Sequence, residues 1–97
     1  MTSQRSNAYG IALKTLRDLQ ASKFSADQME CFVACADAYL FADDEASVFA
    51  ADFLFADAAA QLDAIAAADR LMPETVARIK AELKAIGPAA PALAEAA

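Results

Sequence analysis

The chain has 97 residues, 59% of them hydrophobic, and a net charge of −6 at pH 7. A chain of this length forms one domain, which argues against an enzyme built from two domains around a cleft. Two glycines and three prolines are too few for a turn-rich β fold, whereas the excess of Ala, Leu, Glu and Lys favours helices. The composition predicts an all-α fold, a small bundle of about four helices forming a single domain over residues 1–87.

The first two helices are predicted from apolar spacing and from a start signal between them. The first runs from about Asn7 to Ala21. Ser25 opens the second, because Gln28 stands at the third helical position and completes a capping box. This second helix is expected to continue to about Phe41.

Three consecutive acidic residues, Asp43, Asp44 and Glu45, leave two interpretations open. They can begin a third helix, because a carboxylate accepts the free backbone N–H groups of the first turn and favours the positive end of the helix dipole. Alternatively, one unbroken helix runs through them from Ala26 to Arg70. We expect the break, with a third helix over about residues 45–69.

A fourth helix is marked at both of its ends. Pro73 stands at the favoured first helical position, and Gly87 and Pro88 follow the last apolar residue. The residues expected to be buried from this helix are Val76, Ile79, Leu83 and Ile86. Residues 88–97, rich in Ala and Pro, are predicted to form a flexible tail.

Few side chains in this sequence are suited to catalysis. No histidine is present, which removes the commonest general base and the triads built on it. Cys31 and Cys35 stand one helical turn apart, and two thiolates alone do not complete a tetrahedral zinc site, so free thiols that are buried or half-buried are expected. The sequence predicts no catalytic residue, no metal site and no cofactor, and a protein that is not an enzyme.

The location of the protein is predicted from its apolar segments. Residues 1–7 are polar, and no uninterrupted apolar segment typical of a signal peptide follows before Lys14. The most apolar window, residues 46–68, contains three aspartates, each of which costs about 2.5 to 3.5 kcal/mol at bilayer depth. We expect a cytoplasmic protein that does not enter the membrane.

The charges are distributed unevenly along the chain. Between Phe24 and Asp69 there are ten acidic residues and no Lys or Arg, whereas residues 1–23 carry four basic residues and one acidic residue. In one interpretation, the acids solvate outer helix faces and are partly neutralised by Arg17, Arg70, Lys80 and Lys84. In the other, the acidic surface attracts a protein with a basic surface and repels nucleic acid, which predicts a protein partner and no direct nucleic-acid binding.

Two functions agree with this charge pattern. The first is protein–protein binding, as an inhibitor, adaptor or accessory subunit. The alternative is an acidic mimic of nucleic acid, for example a phage- or mobile-element-encoded inhibitor of a nucleic-acid-binding complex. On the third helix, Glu45, Asp52 and Asp63 share one stripe at spacings of roughly 10 and 16 Å. A DNA strand presents a phosphate about every 3.4 Å, so mimicry needs additional acids from the second helix.

The candidate binding residues come from a helical wheel of the third helix. Its broad apolar face is expected to be the core face and comprises Val48, Ala51, Leu54, Phe55, Ala58, Leu62 and Ile65. Phe49 and Phe53 lie on roughly the opposite side, with Glu45, Asp52 and Asp57 around the margin. Either the first or fourth helix covers this phenylalanine pair, or the pair is exposed and forms an interface hot spot. The small residues of this helix also permit a homodimer.

Overall fold

Four helices make up the computed structural model, which describes residues 3–87. They are α1 (Ser3–Lys23), α2 (Ala26–Phe41), α3 (Glu45–Ala67) and α4 (Pro73–Ile86). No strand occurs within residues 3–87. The prediction of an all-α bundle of about four helices is confirmed. The predicted tail, residues 88–97, lies outside the described residues.

Capping boxes begin both α2 and α3. The Ser25 hydroxyl accepts a hydrogen bond from the Gln28 backbone at 3.1 Å, and the Gln28 side chain accepts one from the Ser25 backbone at 2.8 Å. Asp44 and Ser47 exchange the same pair of bonds at the start of α3. The break between α2 and α3 is therefore confirmed, and one unbroken helix through these acids is wrong.

The Ser25 cap should contribute measurably to stability. We expect Ser25→Ala to lower the free energy of unfolding by roughly 0.5 to 2 kcal/mol, because it leaves the Gln28 backbone N–H without its side-chain acceptor. Urea denaturation followed by circular dichroism measures the change. Ser22→Ala, at an exposed position within α1, is the control and should change stability by less than about 0.5 kcal/mol. Equal effects of the two substitutions would contradict this role of the cap.

The helices pack with α2 and α4 at the centre. These two contact each other, and each also contacts both α1 and α3, whereas α1 and α3 do not touch within residues 3–87. Short connections make helices that follow one another antiparallel. The largest side chains that are fully buried are Leu16, Phe32, Leu62, Ile79, Leu83 and Ile86. The bundle therefore has two outer helices, α1 and α3, on opposite sides.

Helix α1 starts four residues before the predicted position, and Arg5 explains why. Its guanidinium donates to the Ile86 carbonyl at 2.9 Å, and to the carbonyls of Tyr39 at 2.5 Å and Ala42 at 2.8 Å. These carbonyls lie at the carboxyl ends of α4 and α2, where helices lack backbone donors. The first turn of α1 is thus stabilised by tertiary contacts that apolar spacing does not reveal.

Helix α3 ends two residues earlier than predicted. Asp69 adopts a left-handed conformation with φ of 61°, and its N–H donates to the Ala66 carbonyl at 3.0 Å. The Arg70 N–H donates to the Ile65 carbonyl at 3.1 Å, which completes a typical helix-ending turn. This turn redirects the chain toward Pro73, which begins α4.

Candidate protein-interaction surface

Helix α3 is an outer helix, with neighbours on one side only. Its buried residues are Ala51, Ala58, Leu62 and Ile65, and they face α2 and α4. Burial of two alanines at this contact lets the α3 backbone approach its neighbours closely. Neither α1 nor α4 covers the opposite face, although the helical wheel leaves this open as one of two alternatives.

Phe49 and Phe53 are exposed on this uncovered face. Their side chains are 64% and 66% exposed, respectively. The rings contact each other edge to face, with centroids 5.1 Å apart and an interplanar angle of 88°. Such a contact is the favoured geometry for an aromatic pair, but it leaves most of both rings in water. The bundle itself does not supply burial for these two side chains.

The phenylalanine pair belongs to a longer uncharged strip, here called the outer stripe of α3. All its members are exposed: Ala46, Phe49, Phe53, Ala56, Ala60, Ala64 and Ala67. They fall on one side of the helix at 100° per residue, and the stripe is about 32 Å long at 1.5 Å per residue. Its amino-terminal half carries the two large side chains, and its carboxyl-terminal half carries only alanines.

The core face of α3 is narrower than predicted. Leu54, expected in the core, is 38% exposed, and Val48 is only half-buried. Both lie at the edges of the predicted face, which an outer helix with two neighbours does not cover. Three further large hydrophobic side chains are exposed outside α3: Ile11 in α1, Phe41 at the end of α2 and Met72 before α4.

Asp52, at the margin of the stripe, already has partners within the bundle. The Tyr39 hydroxyl donates to its carboxylate at 2.5 Å, and Lys84 lies 3.4 Å from the same oxygen. The bond from Tyr39 holds the pKa of Asp52 below its usual value, an effect to which Lys84 adds. Burial, reinforced by this bond, raises the pKa of Tyr39. Asp52 therefore links α3 to α2 and α4, in addition to its predicted place at the binding margin.

Glu45 and Asp57 are the other predicted margin residues, and both are exposed. Asp57 lies on the α2 side of the stripe, with its carboxylate 3.6 Å from the Cys31 sulfur. Glu45 lies in the first turn of α3, beside the exposed Asp43 and Asp44. Among residues 3–87, no Lys or Arg forms an ion pair with any of these four acids.

Neutralisation of the acidic segment by basic residues is only partial. Lys80 forms an ion pair with Asp63 at 2.6 Å, and Lys84 forms the pair with Asp52. Arg70 donates instead to the Lys23 backbone carbonyl at 3.1 Å. The α4 side of the outer stripe is therefore balanced in charge, whereas the amino-terminal end of α3 and its α2 side keep a negative charge.

The cysteines are free, and their surroundings suppress reactivity. Cys35 is fully buried, which raises its pKa to about 12, and Cys31 is half-buried with a pKa also raised by burial. Raised values keep both thiols protonated at neutral pH, and a nucleophile or metal ligand requires the thiolate. No group of three or more potential metal ligands is found in the described part of the chain.

Comparisons with known proteins yield no relative from which a role could be transferred. No protein-family model, no curated protein and no solved structure matches this chain. Between residues 3 and 87, none of the helices combines the length and the apolar character needed to cross a membrane. The arrangement of side chains on α3 is therefore the basis for a functional proposal.

Proposed function

We propose that this protein acts without catalysis, by docking the outer stripe of α3 onto another protein as an inhibitor, adaptor or accessory subunit. One observation carries the proposal: Phe49 and Phe53 form an exposed aromatic pair on a face that no helix of the bundle covers. Leaving about two-thirds of each phenylalanine side chain in water forgoes roughly 2 to 4 kcal/mol of burial. A partner that covers them gains this energy, as in the aromatic centre of an interface hot spot.

The charges around the stripe define the chemistry of the partner. It has an apolar groove for the two rings, and Lys or Arg placed to meet Glu45 and Asp57, which lack ion pairs of their own within residues 3–87. Charged margins of this kind chiefly set the association rate and exclude wrong partners, whereas the buried centre supplies affinity. The same acids disfavour direct binding to nucleic acid. Free thiols agree with a reducing compartment, so we propose action in the cytoplasm.

Acidic mimicry of nucleic acid is the alternative function. It requires a dense array of unneutralised carboxylates, and two of the three acids on the predicted stripe, Asp52 and Asp63, are each paired with a lysine of α4. An uncharged strip with two phenylalanines also has no counterpart in a phosphate backbone. Apolar docking has the stronger support, and the two functions differ in their response to salt.

A salt series distinguishes apolar docking from mimicry. The tagged protein is used to retain partners from extracts of its native host at about 0.1 and 1 M salt, where the Debye lengths are about 10 and 3 Å. We expect a partner that remains bound at high salt and is lost when Phe49→Ala and Phe53→Ala are combined in the bait. Phe41→Ala, at another exposed phenylalanine, is the matched control and should retain the partner. A partner that is lost at high salt, and whose retention at low salt is unchanged by the double substitution, would support mimicry instead.

A further inference from the structure

We propose that the free protein pairs with a second copy of itself through the outer stripe, with the two α3 helices antiparallel. This inference rests on the proposed function in one respect, since it uses the same face of α3. It adds that, in the free protein, a second copy of the chain covers that face, and that a docking partner must displace this copy. Three features of the stripe support a second copy in this orientation: the order of large and small side chains, the charges at the two ends of α3, and the charges along its α4 side.

The order of large and small side chains along the stripe is complementary to the same stripe in an antiparallel second copy. A two-fold axis placed between residues 56 and 57 sets Phe53 of one copy opposite Ala60 of the other, and Phe49 opposite Ala64. Each large side chain then meets a small one, as close packing of helices requires. A parallel pair would instead set each phenylalanine against its own counterpart and hold the alanine halves apart.

Opposite charges meet at the two ends of this antiparallel pair. The amino-terminal end of α3 carries the exposed acids Asp43, Asp44 and Glu45. Its carboxyl-terminal end is followed by the exposed acid Asp69 and by Arg70, whose guanidinium is bound to the backbone of Lys23, so two basic residues stand against one acidic residue at this end. Reversal brings the basic end of one copy beside the acidic end of the other, twice per dimer. A parallel pair would bring the two acidic ends together.

The α4 side of the stripe is also complementary to itself. The ion pair of Asp52 with Lys84 lies near one end of this side, and that of Asp63 with Lys80 lies near the other. With the axis between residues 56 and 57, the Asp52–Lys84 pair of one copy faces the Asp63–Lys80 pair of the other copy across the interface. The carboxylates of Asp52 and Asp63 can then each approach a lysine ammonium group of the second copy.

Two features keep the association weak. Asp57 lies close to the two-fold axis, so the two copies of this carboxylate approach each other and repel. The stripe covers about 300 Å² per copy if it is one helix diameter wide, against about 800 Å² per partner in a standard stable interface. We expect a reversible dimer with a micromolar dissociation constant, which a docking partner can dissociate.

Sedimentation equilibrium of the purified chain tests self-association without any partner. We expect a monomer–dimer equilibrium at micromolar concentrations. Combining Phe49→Ala with Phe53→Ala should raise the dissociation constant about tenfold or more, and Phe41→Ala should leave it unchanged. Asp57→Asn should lower it about threefold, because it removes the repulsion at the axis. A chain that stays monomeric at high micromolar concentration would overturn the proposal, as would a dimer whose dissociation constant is unchanged by the double substitution. Retention of a partner in the salt series would still support the proposed function in either case.

Cysteine cross-linking tests the orientation. In a Cys31→Ser, Cys35→Ala background whose fold is checked by circular dichroism, single cysteines replace Ala46 or Ala67, which lie opposite each other across the proposed antiparallel interface. We expect no intermolecular disulfide from either variant alone, because identical positions lie about 32 Å apart, and a disulfide when the two are mixed. Disulfides in the separate variants and none specific to the mixture would show a parallel pair and overturn the proposal.

Discussion

Replacing Phe32 with Ala should lower the free energy of unfolding by about 3 to 5 kcal/mol. Phe32 is 0% exposed at the centre of α2, and its ring contacts the Phe24 ring edge to face at 4.9 Å between centroids. Its removal loses apolar burial and leaves a cavity between helices that α2 holds together. Because small domains have only about 5 to 15 kcal/mol of stability, this substitution removes a large share of the total. Urea denaturation followed by circular dichroism measures the loss.

The matched control is Phe41→Ala, the same substitution in the same helix at a side chain that is 68% exposed. We expect a change of less than about 0.5 kcal/mol, as is usual for surface substitutions. Comparable losses for Phe32→Ala and Phe41→Ala would contradict the packing of α2 described above. Together, the Phe32→Ala and Phe41→Ala substitutions measure how much a phenylalanine contributes to the free energy of unfolding in the core and at the surface of this protein.

Replacing both Phe49 and Phe53 with Ala should weaken partner binding about tenfold or more. The same double substitution should lower the free energy of unfolding by no more than about 1 kcal/mol, because it removes one edge-to-face contact and little burial. Isothermal titration of the partner retained in the salt series, together with urea denaturation, measures both quantities. Phe41→Ala should retain wild-type affinity and stability.

The possible results of this double substitution are distinct. A loss of stability approaching that of Phe32→Ala would place the pair in the core and remove the basis for a binding site. Wild-type affinity together with wild-type stability would show that the stripe is neither part of the core nor a site. Only lost affinity with stability nearly unchanged agrees with docking through α3.

The helix boundaries could be predicted where their signals are local. The Ser25 capping box and the acids before α3 act within a few residues, so the break after α2 follows from the sequence. The early start of α1 could not be predicted in this way. Arg5 is held by carbonyls of Tyr39 and Ile86, which lie 34 and 81 residues away along the chain.

The candidate site could be predicted only in part. A helical wheel places Phe49 and Phe53 on one face of α3, but it does not tell how many neighbours the helix has. That depends on α2 and α4 lying at the centre of the bundle, which also explains why Leu54 is more exposed than the wheel suggests. The bond of Tyr39 to Asp52 depends likewise on how α2 packs against α3.

Site-specific photo-cross-linking is the most direct test of the outer stripe of α3 as a protein-binding surface. Benzoylphenylalanine replaces Phe53, and in separate variants Phe41 or the exposed Ile11 of α1, and each variant is irradiated with the purified partner. A product of twice the chain mass of 10.2 kDa reports self-pairing and is distinguished by mass from a product with the partner. We expect the partner to be cross-linked from position 53 and not from positions 11 or 41. Cross-linking from position 11, with none from position 53, would contradict binding through α3.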